Sequence, residues 1–164
     1  MIVILEGVDG SGKTTLAKQL VEHGYEQIKI EDGNYEFNNW LDAKMEYKYK
    51  IAITDRNFIS DLVYRIYDGK ERRGMNLRQM CNTLSDGVII VHLESDTEYY
   101  DSMRRGEDNI LTLDANTRIK FIYKDIMRML EIFVGVPIIK YNWRTDDVAT
   151  IINFIERRKR YAVR

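Results

Sequence analysis

The chain has 164 residues, of which 45% are hydrophobic, and this length predicts a single globular domain, residues 1–164, with a substantial core. Its charged residues nearly cancel to a net charge of −1, so the overall charge argues neither for nor against an anionic partner such as a nucleic acid. A single cysteine excludes an intrachain disulfide, and no apolar run approaches the roughly 18 residues of a membrane span, so we expect a cytoplasmic protein with no membrane partner.

The predicted elements alternate between strands and helices, beginning at the N-terminus. Residues 2–5 are a short continuous apolar run, which is typical of a strand buried on both faces. Three glycines separate this run from a helix predicted over 13–23, with Leu16 and Leu20 on one face and Gly24 as its stop. In chain order the pattern then predicts a weak strand over 25–30, a helix over 35–47, a strand over 50–54, and helices over 58–66 and 76–84.

The second half of the chain continues the alternation. Residues 87–93, GVIIVHL, form the clearest buried strand, and SDTE at 95–98 has the form of a capping box that starts a helix. A long helix follows, with its apolar residues on an inner face, and the chain ends in another strand and helix. These elements are predicted over 115–133, with Ile119, Ile122, Ile126, Met129, Leu130 and Phe133 facing inward, over 136–141 and over 146–160.

Five strands separated by helices predict an α/β fold, a five-stranded parallel sheet flanked by helices on both faces. Ligands of such sheets bind beyond the carboxyl ends of the strands. Polar motifs follow every predicted strand, which places the candidate site at that edge. In chain order the motifs are EGVDGSGKTT at 6–15, ED at 31–32, DR at 55–56, ESD at 94–96 and NWRT at 142–145.

The motif at 7–14, GVDGSGKT, satisfies G-x-x-x-x-G-K-[ST] between a predicted strand and a predicted helix, the context that identifies a P-loop. The amides of such a loop converge on an anion at the helix N-terminus, where the helix dipole is favourable. Lys13 would hold the β- and γ-phosphates of ATP, and the Thr14 hydroxyl would be a ligand of Mg²⁺. A chance match on a glycine-rich turn is the alternative. The predicted nucleotide-binding residues are Gly7, Asp9, Gly10, Ser11, Gly12, Lys13, Thr14 and Thr15.

Three stretches of the chain are similar to motifs of one known family. LEGVDGSGKTT at 5–15 resembles E-G-x-D-G-x-G-K-[ST]-T, the P-loop of the thymidylate kinase family. DRNFISDLVYR at 55–65 resembles its D-R-[YFH]-x-x-S segment, and is closer still to the D-R-x-x-x-x-[ED]-L-V-Y of small phage-type members. RRGEDNI at 104–110 is similar to the arginine-bearing lid, here expected over about 104–113. The resemblance implies the P-loop kinase fold and, for a phage-encoded protein, the host cytoplasm.

The resemblance also implies roles for individual residues. Asp9 would lie near the acceptor and the metal, and Asp55 would lie close to the water shell of Mg²⁺ as a catalytic and metal-binding residue. Arg56 would bind an acceptor phosphate, while Arg104 and Arg105 would close over the transferring phosphoryl group. Phosphoryl transfer needs positioned charge, and arginine forks match phosphate oxygens. The alternatives are a surface ion pair for Arg56 and a solvated helix end for the two lid arginines.

The chain departs from the family after the second predicted strand, where thymidylate kinases usually carry R-E-P. KIEDGNYEF stands there instead and places Glu31 and Asp32 where P-loop kinases of hydroxyl acceptors keep a general base. A phosphate acceptor is already an anion and needs no base, whereas a hydroxyl does. Asp32 is therefore a candidate base and, together with Glu31 and Trp40, a candidate acceptor-binding residue; ordinary turn chemistry is the alternative.

Three classes of function stay open at this point. The first is an ATP- and Mg²⁺-dependent kinase of a deoxynucleoside monophosphate. The second is a kinase of a hydroxyl on a nucleoside or on a modified base in DNA, such as 5-hydroxymethyluracil, which the basic RRKRY at 157–161 would suit. The third is a nucleotide-driven switch, against which the chain has no N-K-x-D-like guanine signature. The expected partner is a nucleotide or nucleic-acid acceptor, and a homodimer is also open.

Overall fold

The computed structural model of the chain describes residues 1–28, 37–69, 77–84, 87–94, 96, 103 and 112–162, of which 37–41, 77–80 and 160–162 are described by their backbone only. Its strands are β1 (Ile2–Glu6), β2 (Glu26–Ile28), β3 (Ala52–Asp55), β4 (Val88–Leu93) and β5 (Ile138–Tyr141). The described helices are α1 (Lys13–Glu22), α2 (Phe37–Glu46), α3 (Phe58–Tyr67), α4 (Leu77–Leu84), α5 (Leu113–Phe133) and α6 (Val148–Ala162).

The strands pair in parallel to form a five-stranded sheet in the order β2-β3-β1-β4-β5. β1 lies at its centre, and every residue of β1 is buried because its neighbours β3 and β4 flank it and helices cover both faces. In this register Ile2 lies opposite Ala52 of β3 and Val88 of β4. The predicted five-stranded parallel sheet is confirmed.

Side chains of β1 alternate between two apolar cores on the two faces of the sheet. Ile2 and Ile4 point to the face that α3 and α5 cover, while Val3 and Leu5 point to the face that α1 and α6 cover. The helices that follow β1 and β3 therefore lie on opposite faces. The loops that leave these neighbouring strands diverge, which opens a crevice at the carboxyl edge of the sheet between them.

The ends of the described elements differ from prediction by at most two residues. β3 extends one residue further than predicted, to Asp55, and α6 runs from 148 to 162 rather than from 146 to 160. α5 begins two residues earlier than predicted because the Thr112 side chain caps it, accepting a hydrogen bond from the amide of Ala115 at 3.2 Å. Of the capping box predicted at 95–98 only Asp96 is described, and the end of the second predicted strand, 29–30, lies outside the described residues.

The predicted inner face of α5 is wrong at its C-terminal end. Phe133 is 76% exposed and Met129 is 36% exposed, so neither belongs to the core. The buried positions of the helix instead end at Leu130, almost one turn before the helix does, so its last turn has no core to pack against. They are Ala115, Asn116, Ile119, Tyr123, Ile126, Met127 and Leu130. Among the described helices, none is both long and apolar enough to cross a bilayer.

Candidate functional site

The loop between β1 and α1 folds around the side chain of Lys13. Its ammonium Nζ donates hydrogen bonds to the carbonyl oxygens of Gly7 at 2.8 Å and Val8 at 2.7 Å. Gly12, directly before the helix, has a φ of 89°, in the left-handed region that favours glycine. A buried ammonium inside a loop at a helix N-terminus concentrates positive potential there, which favours an anion at this edge of the sheet.

Two glycines of the loop leave no room for a side chain. A Cβ on Gly7 would collide with the carbonyl oxygen of Leu93 at the end of β4, and a Cβ on Gly12 would lie 2.7 Å from Cδ1 of Trp143. The loop after β5 thus brings an aromatic ring onto the P-loop. The Arg144 guanidinium stacks on that ring at 4.6 Å, and the buried indole Nε1 finds no hydrogen-bond partner among the described residues.

Thr14 and Asp55 meet because β1 and β3 are neighbours. The Thr14 hydroxyl donates to Oδ2 of Asp55 at 3.0 Å, while the buried Oδ1 has no hydrogen-bond partner within the described part of the chain. Mg²⁺ prefers oxygen ligands and is commonly bound through one or two carboxylates together with substrate phosphates. The described residues contain no group of three or more His, Cys, Asp or Glu side chains that could hold a metal unaided. This pair of side chains therefore fits a magnesium ion that a nucleotide brings with it.

Arg56 and Asp9 form an ion pair across the crevice between β1 and β3. Nη2 of Arg56 contacts Oδ1 of Asp9, and the guanidinium lies over the ring of Tyr64, 5.8 Å from its centroid. The Tyr64 hydroxyl donates to the other carboxylate oxygen of Asp9 at 3.3 Å. The Arg56 side chain is 28% exposed, so the guanidinium can also be reached by a ligand from solvent. The alternative interpretation of Arg56 was a surface ion pair. Arg56 does form an ion pair, but this pair lies beside the P-loop.

Glu6, the last residue of β1, is a fully buried carboxylate that the sequence analysis did not select. Its Oε1 accepts a hydrogen bond from the amide of Asn57 at 3.1 Å, and its Oε2 accepts from the hydroxyls of Ser60 at 2.6 Å and Tyr123 at 3.2 Å. Burial raises the pKa of Glu6 to about 7, although these hydrogen bonds and the nearby Lys13 and Arg56 act in the opposite direction. The signal in the sequence was a charged residue at the end of an otherwise apolar strand.

His92 of β4 lies opposite Glu6 in the register of the sheet. It is buried, and its ring stacks on that of Tyr123 with 5.9 Å between the ring centroids. Burial lowers the pKa of His92 to about 4, so the imidazole is neutral at pH 7.

The structure brings the P-loop residues, Thr14, Asp55, Arg56 and Asp9 together, and the role of each of them stays a prediction. The other candidates cannot be placed beside them. Glu31, Asp32, Arg104 and Arg105 lie outside the described residues, and only the backbone of Trp40, in α2, is described. Their roles stay predictions. Glu6, Tyr64 and Trp143 also lie near the site and were not singled out from the sequence.

No family model and no curated protein sequence matches the chain. Solved structures do match along nearly its whole length. The YorR protein of Bacillus subtilis, solved in complex with phosphorylated GDP, is 22% identical with a TM-score of 0.74, over 98% of each chain.

Two kinases are among the similar structures. Deoxyadenosine kinase from M. mycoides, with the products dCMP and dCDP bound, is 16% identical with a TM-score of 0.64 over 98% of this chain and 100% of that one. Thymidylate kinase from Candida albicans is 18% identical with a TM-score of 0.63 over 96% of this chain and 92% of that one. At these identities the likeness is one of fold. The chain has the P-loop kinase fold. This agrees with the central strand, the P-loop and the helix α1 that follow one another at its N-terminus.

Proposed function

We propose that the chain is an ATP- and Mg²⁺-dependent kinase that transfers a phosphoryl group to a nucleotide-type acceptor, in the first place a deoxynucleoside monophosphate. The observation that carries the proposal is the convergence of two sets of groups at one crevice. The P-loop with Lys13 and the pair of Thr14 and Asp55 suit a triphosphate and its metal, while Arg56 faces them from the β3 side.

On the donor side, the loop amides and Lys13 would bind the phosphates of ATP. The ammonium of Lys13, which now contacts the carbonyl oxygens of Gly7 and Val8, would turn to the β- and γ-phosphates, whose negative charge it stabilises better than neutral carbonyls can. Thr14 and Asp55 would hold Mg²⁺, which when bound neutralises charge on the phosphate oxygens. Arg104 and Arg105, on the predicted lid at about 104–113, would add positive charge around the transferring group.

On the acceptor side, Arg56 would bind the phosphate of the acceptor. Its guanidinium offers several N–H donors, so it can keep Asp9 with one of them and bind a phosphate oxygen with others. Glu31 and Trp40 are the further acceptor-binding residues of this proposal. The name of one similar kinase supports a monophosphate acceptor, since thymidylate is a nucleoside monophosphate.

A hydroxyl acceptor is the second candidate, either on a nucleoside or on a modified base in DNA. Asp32 favours it, because a carboxylate after the second strand could take the proton of an attacking hydroxyl. The similarity to a deoxyadenosine kinase supports it as well, since a nucleoside presents hydroxyls and no phosphate.

The deciding experiment offers labelled ATP with Mg²⁺ to the purified protein, together with each deoxynucleoside monophosphate, each nucleoside, or DNA with and without 5-hydroxymethyluracil. We expect label to move to a monophosphate. Transfer to hydroxyl acceptors alone would establish the second candidate, and hydrolysis of ATP without transfer to any acceptor would overturn the kinase proposal in favour of a nucleotide-driven switch.

Lys13→Ala tests the donor site. Loss of the Lys13 ammonium beside the phosphates raises the activation barrier of phosphoryl transfer by roughly 3 kcal/mol or more, so we expect kcat to fall at least about a hundredfold. Circular dichroism should show the fold unchanged. A folded Lys13→Ala protein with near-normal turnover would remove the ATP site from the proposal.

Asp32→Asn tests the acceptor class. A phosphate acceptor needs no base, so we expect kcat to fall less than about tenfold with saturating ATP, whereas loss of a general base typically costs 10²- to 10⁴-fold. A thousandfold loss in a folded protein would favour the hydroxyl acceptor.

A further inference from the structure

Glu6 has no part in the proposed transfer, yet it lies where a charge is most costly, at the end of the central strand of the sheet. A buried carboxylate is tolerated when hydrogen bonds satisfy it, and Glu6 accepts three. Two of the three donors lie just after β3: the amide of Asn57, in the junction between β3 and α3, and the hydroxyl of Ser60, in the first turn of α3. Arg56 is the residue directly before that amide.

The backbone of Arg56 is held on both sides of its Cα. Its own amide donates to the carbonyl oxygen of Leu5 in β1 at 3.0 Å, and its carbonyl oxygen accepts from the hydroxyl of Thr54 at 2.7 Å. The next amide, that of Asn57, donates to Glu6. Two of these three bonds tie the junction to β1, the strand that leads into the P-loop.

Arg56 needs such restraint because its φ is 71°, in the left-handed region. A residue with a Cβ is less stable there by roughly 1–2 kcal/mol, and it keeps this conformation only where its surroundings enforce it. With a relaxed backbone the guanidinium would leave Asp9 and the P-loop. The conformation of this residue therefore decides whether its side chain faces the crevice.

We propose that Glu6 is a positioning residue for Arg56: by holding the amide of Asn57 and the hydroxyl of Ser60, it keeps Arg56 in the left-handed conformation with its guanidinium beside the P-loop. The consequence for catalysis rests on the proposed function of Arg56 as the acceptor's phosphate ligand. The alternative is that Glu6 is only a satisfied buried polar group whose loss weakens the fold without moving Arg56.

Three variants separate these alternatives. Glu6→Ala removes all three bonds to the carboxylate. Glu6→Gln keeps an oxygen for the Asn57 amide, and its NH₂ can donate to the Ser60 and Tyr123 hydroxyls, which also accept hydrogen bonds. Tyr123→Phe is the matched control, because it removes a donor to the same carboxylate from α5. It also removes the contact of the Tyr123 hydroxyl with the Ser60 hydroxyl at 2.9 Å, but it leaves the bonds that Asn57 and Ser60 donate to Glu6.

We expect Glu6→Ala to raise the acceptor KM at least about tenfold while the KM for ATP stays within about threefold. Glu6→Gln and Tyr123→Phe should keep the acceptor KM of the wild type within about threefold. Because Glu6 acts through Arg56, the double variant Glu6→Ala/Arg56→Ala should have the acceptor KM of Arg56→Ala alone. Additive effects, or an equal rise of the acceptor KM in Tyr123→Phe, would overturn the proposal.

A second measurement does not depend on kinase activity. The side-chain Nε–Hε signal of Arg56 in a ¹⁵N NMR spectrum, assigned by its disappearance in Arg56→Ala, reports whether the guanidinium keeps its partner. We expect it to move toward the position of solvated arginines in Glu6→Ala and to stay in place in Glu6→Gln and Tyr123→Phe. If the wild type phosphorylates no acceptor, the proposed function fails, and this signal alone decides the positioning role. An unmoved signal in folded Glu6→Ala refutes it.

Discussion

Glu6 and His92, opposite each other on β1 and β4, have pKa values that burial shifts in opposite directions. The pKa of Glu6 rises from 4.5 to about 7, so between these values the native state binds more protons than the unfolded state and stability falls as pH rises. The pKa of His92 falls from 6.5 to about 4, so between these values the unfolded state binds more protons and stability falls as pH falls. The two effects oppose each other between about pH 4.5 and 6.5.

Glu6→Gln should separate the two contributions. Near pH 4 the Glu6 carboxyl is protonated in both states and resembles the amide, whereas at pH 8 the wild type carries a buried charge. We expect the free energy of unfolding of the variant, relative to the wild type, to increase by up to about 3 kcal/mol from pH 4 to pH 8. Urea denaturation at several pH values measures this difference, and a difference that does not change with pH would show that Glu6 titrates normally.

Gly12→Ala tests the close contact between the P-loop and Trp143. The new Cβ would lie 2.7 Å from the indole ring, at a φ of 89°, so the loop must shift away from its phosphate-binding shape. We expect the affinity for MgATP, measured by calorimetry, to fall at least about tenfold. Gly135→Ala is the control, since φ there is 70° but a Cβ would meet open space. Gly135→Ala should lower the free energy of unfolding by about 1 kcal/mol and leave the affinity for MgATP unchanged. Equal MgATP affinities of Gly12→Ala and Gly135→Ala would contradict the close contact of Gly12 with Trp143.

At the scale of the element, α5 shows how a helix can continue past its core. Its apolar pattern runs to Phe133, but the buried positions stop at Leu130. The same apolar pattern is compatible with a buried last turn and with an exposed one, because the pattern does not show whether another element covers that turn.

Leu130→Ala and Phe133→Ala should therefore differ sharply. Leu130 is 1% exposed, and its truncation should lower the free energy of unfolding by about 2–5 kcal/mol. Phe133 is mostly exposed, and its truncation should change that free energy by less than about 0.5 kcal/mol. Urea denaturation of both variants measures the difference, and a large loss in Phe133→Ala would show that this ring is covered in solution.

At the scale of the whole molecule, the site joins segments that only the sheet brings together. A ligand that binds there binds the native state and not the unfolded chain, so it stabilises every element at once. A ligand at a hundredfold excess over its Kd contributes about 2.7 kcal/mol, which for a chain of this size corresponds to about 5–10 °C in Tm.

MgATP at that excess should therefore raise the Tm of the wild type by about 5–10 °C. Asp55→Asn removes the carboxylate proposed for the metal, so the additional rise that Mg²⁺ gives over ATP alone should disappear. Lys13→Ala should show little rise under either condition. Differential scanning calorimetry with ATP, with MgATP and with ATP plus EDTA makes the comparison, and an unchanged Mg²⁺ effect in Asp55→Asn would remove Asp55 from the metal site.

The sequence by itself determined the features that neighbouring residues encode. The buried strand at 2–5, the glycines and lysine of the P-loop and the helix after it follow from a short pattern, and five such alternations determine a parallel sheet. The P-loop part of the candidate site was predictable for that reason, since it lies in one continuous stretch.

Only the tertiary structure decided which distant residues meet at that stretch. Glu6 binds residues 57, 60 and 123, the ring of Trp143 packs on Gly12, and Arg56 pairs with Asp9. These contacts depend on the strand order, in which β3 and β4 flank β1 and β5 lies beside β4, and the contact of Tyr123 also depends on α5, which covers one face of the sheet. Strands that are buried on both faces have similar apolar sequences, so their pattern does not encode their order. That order follows from the packing of all the helices and strands together.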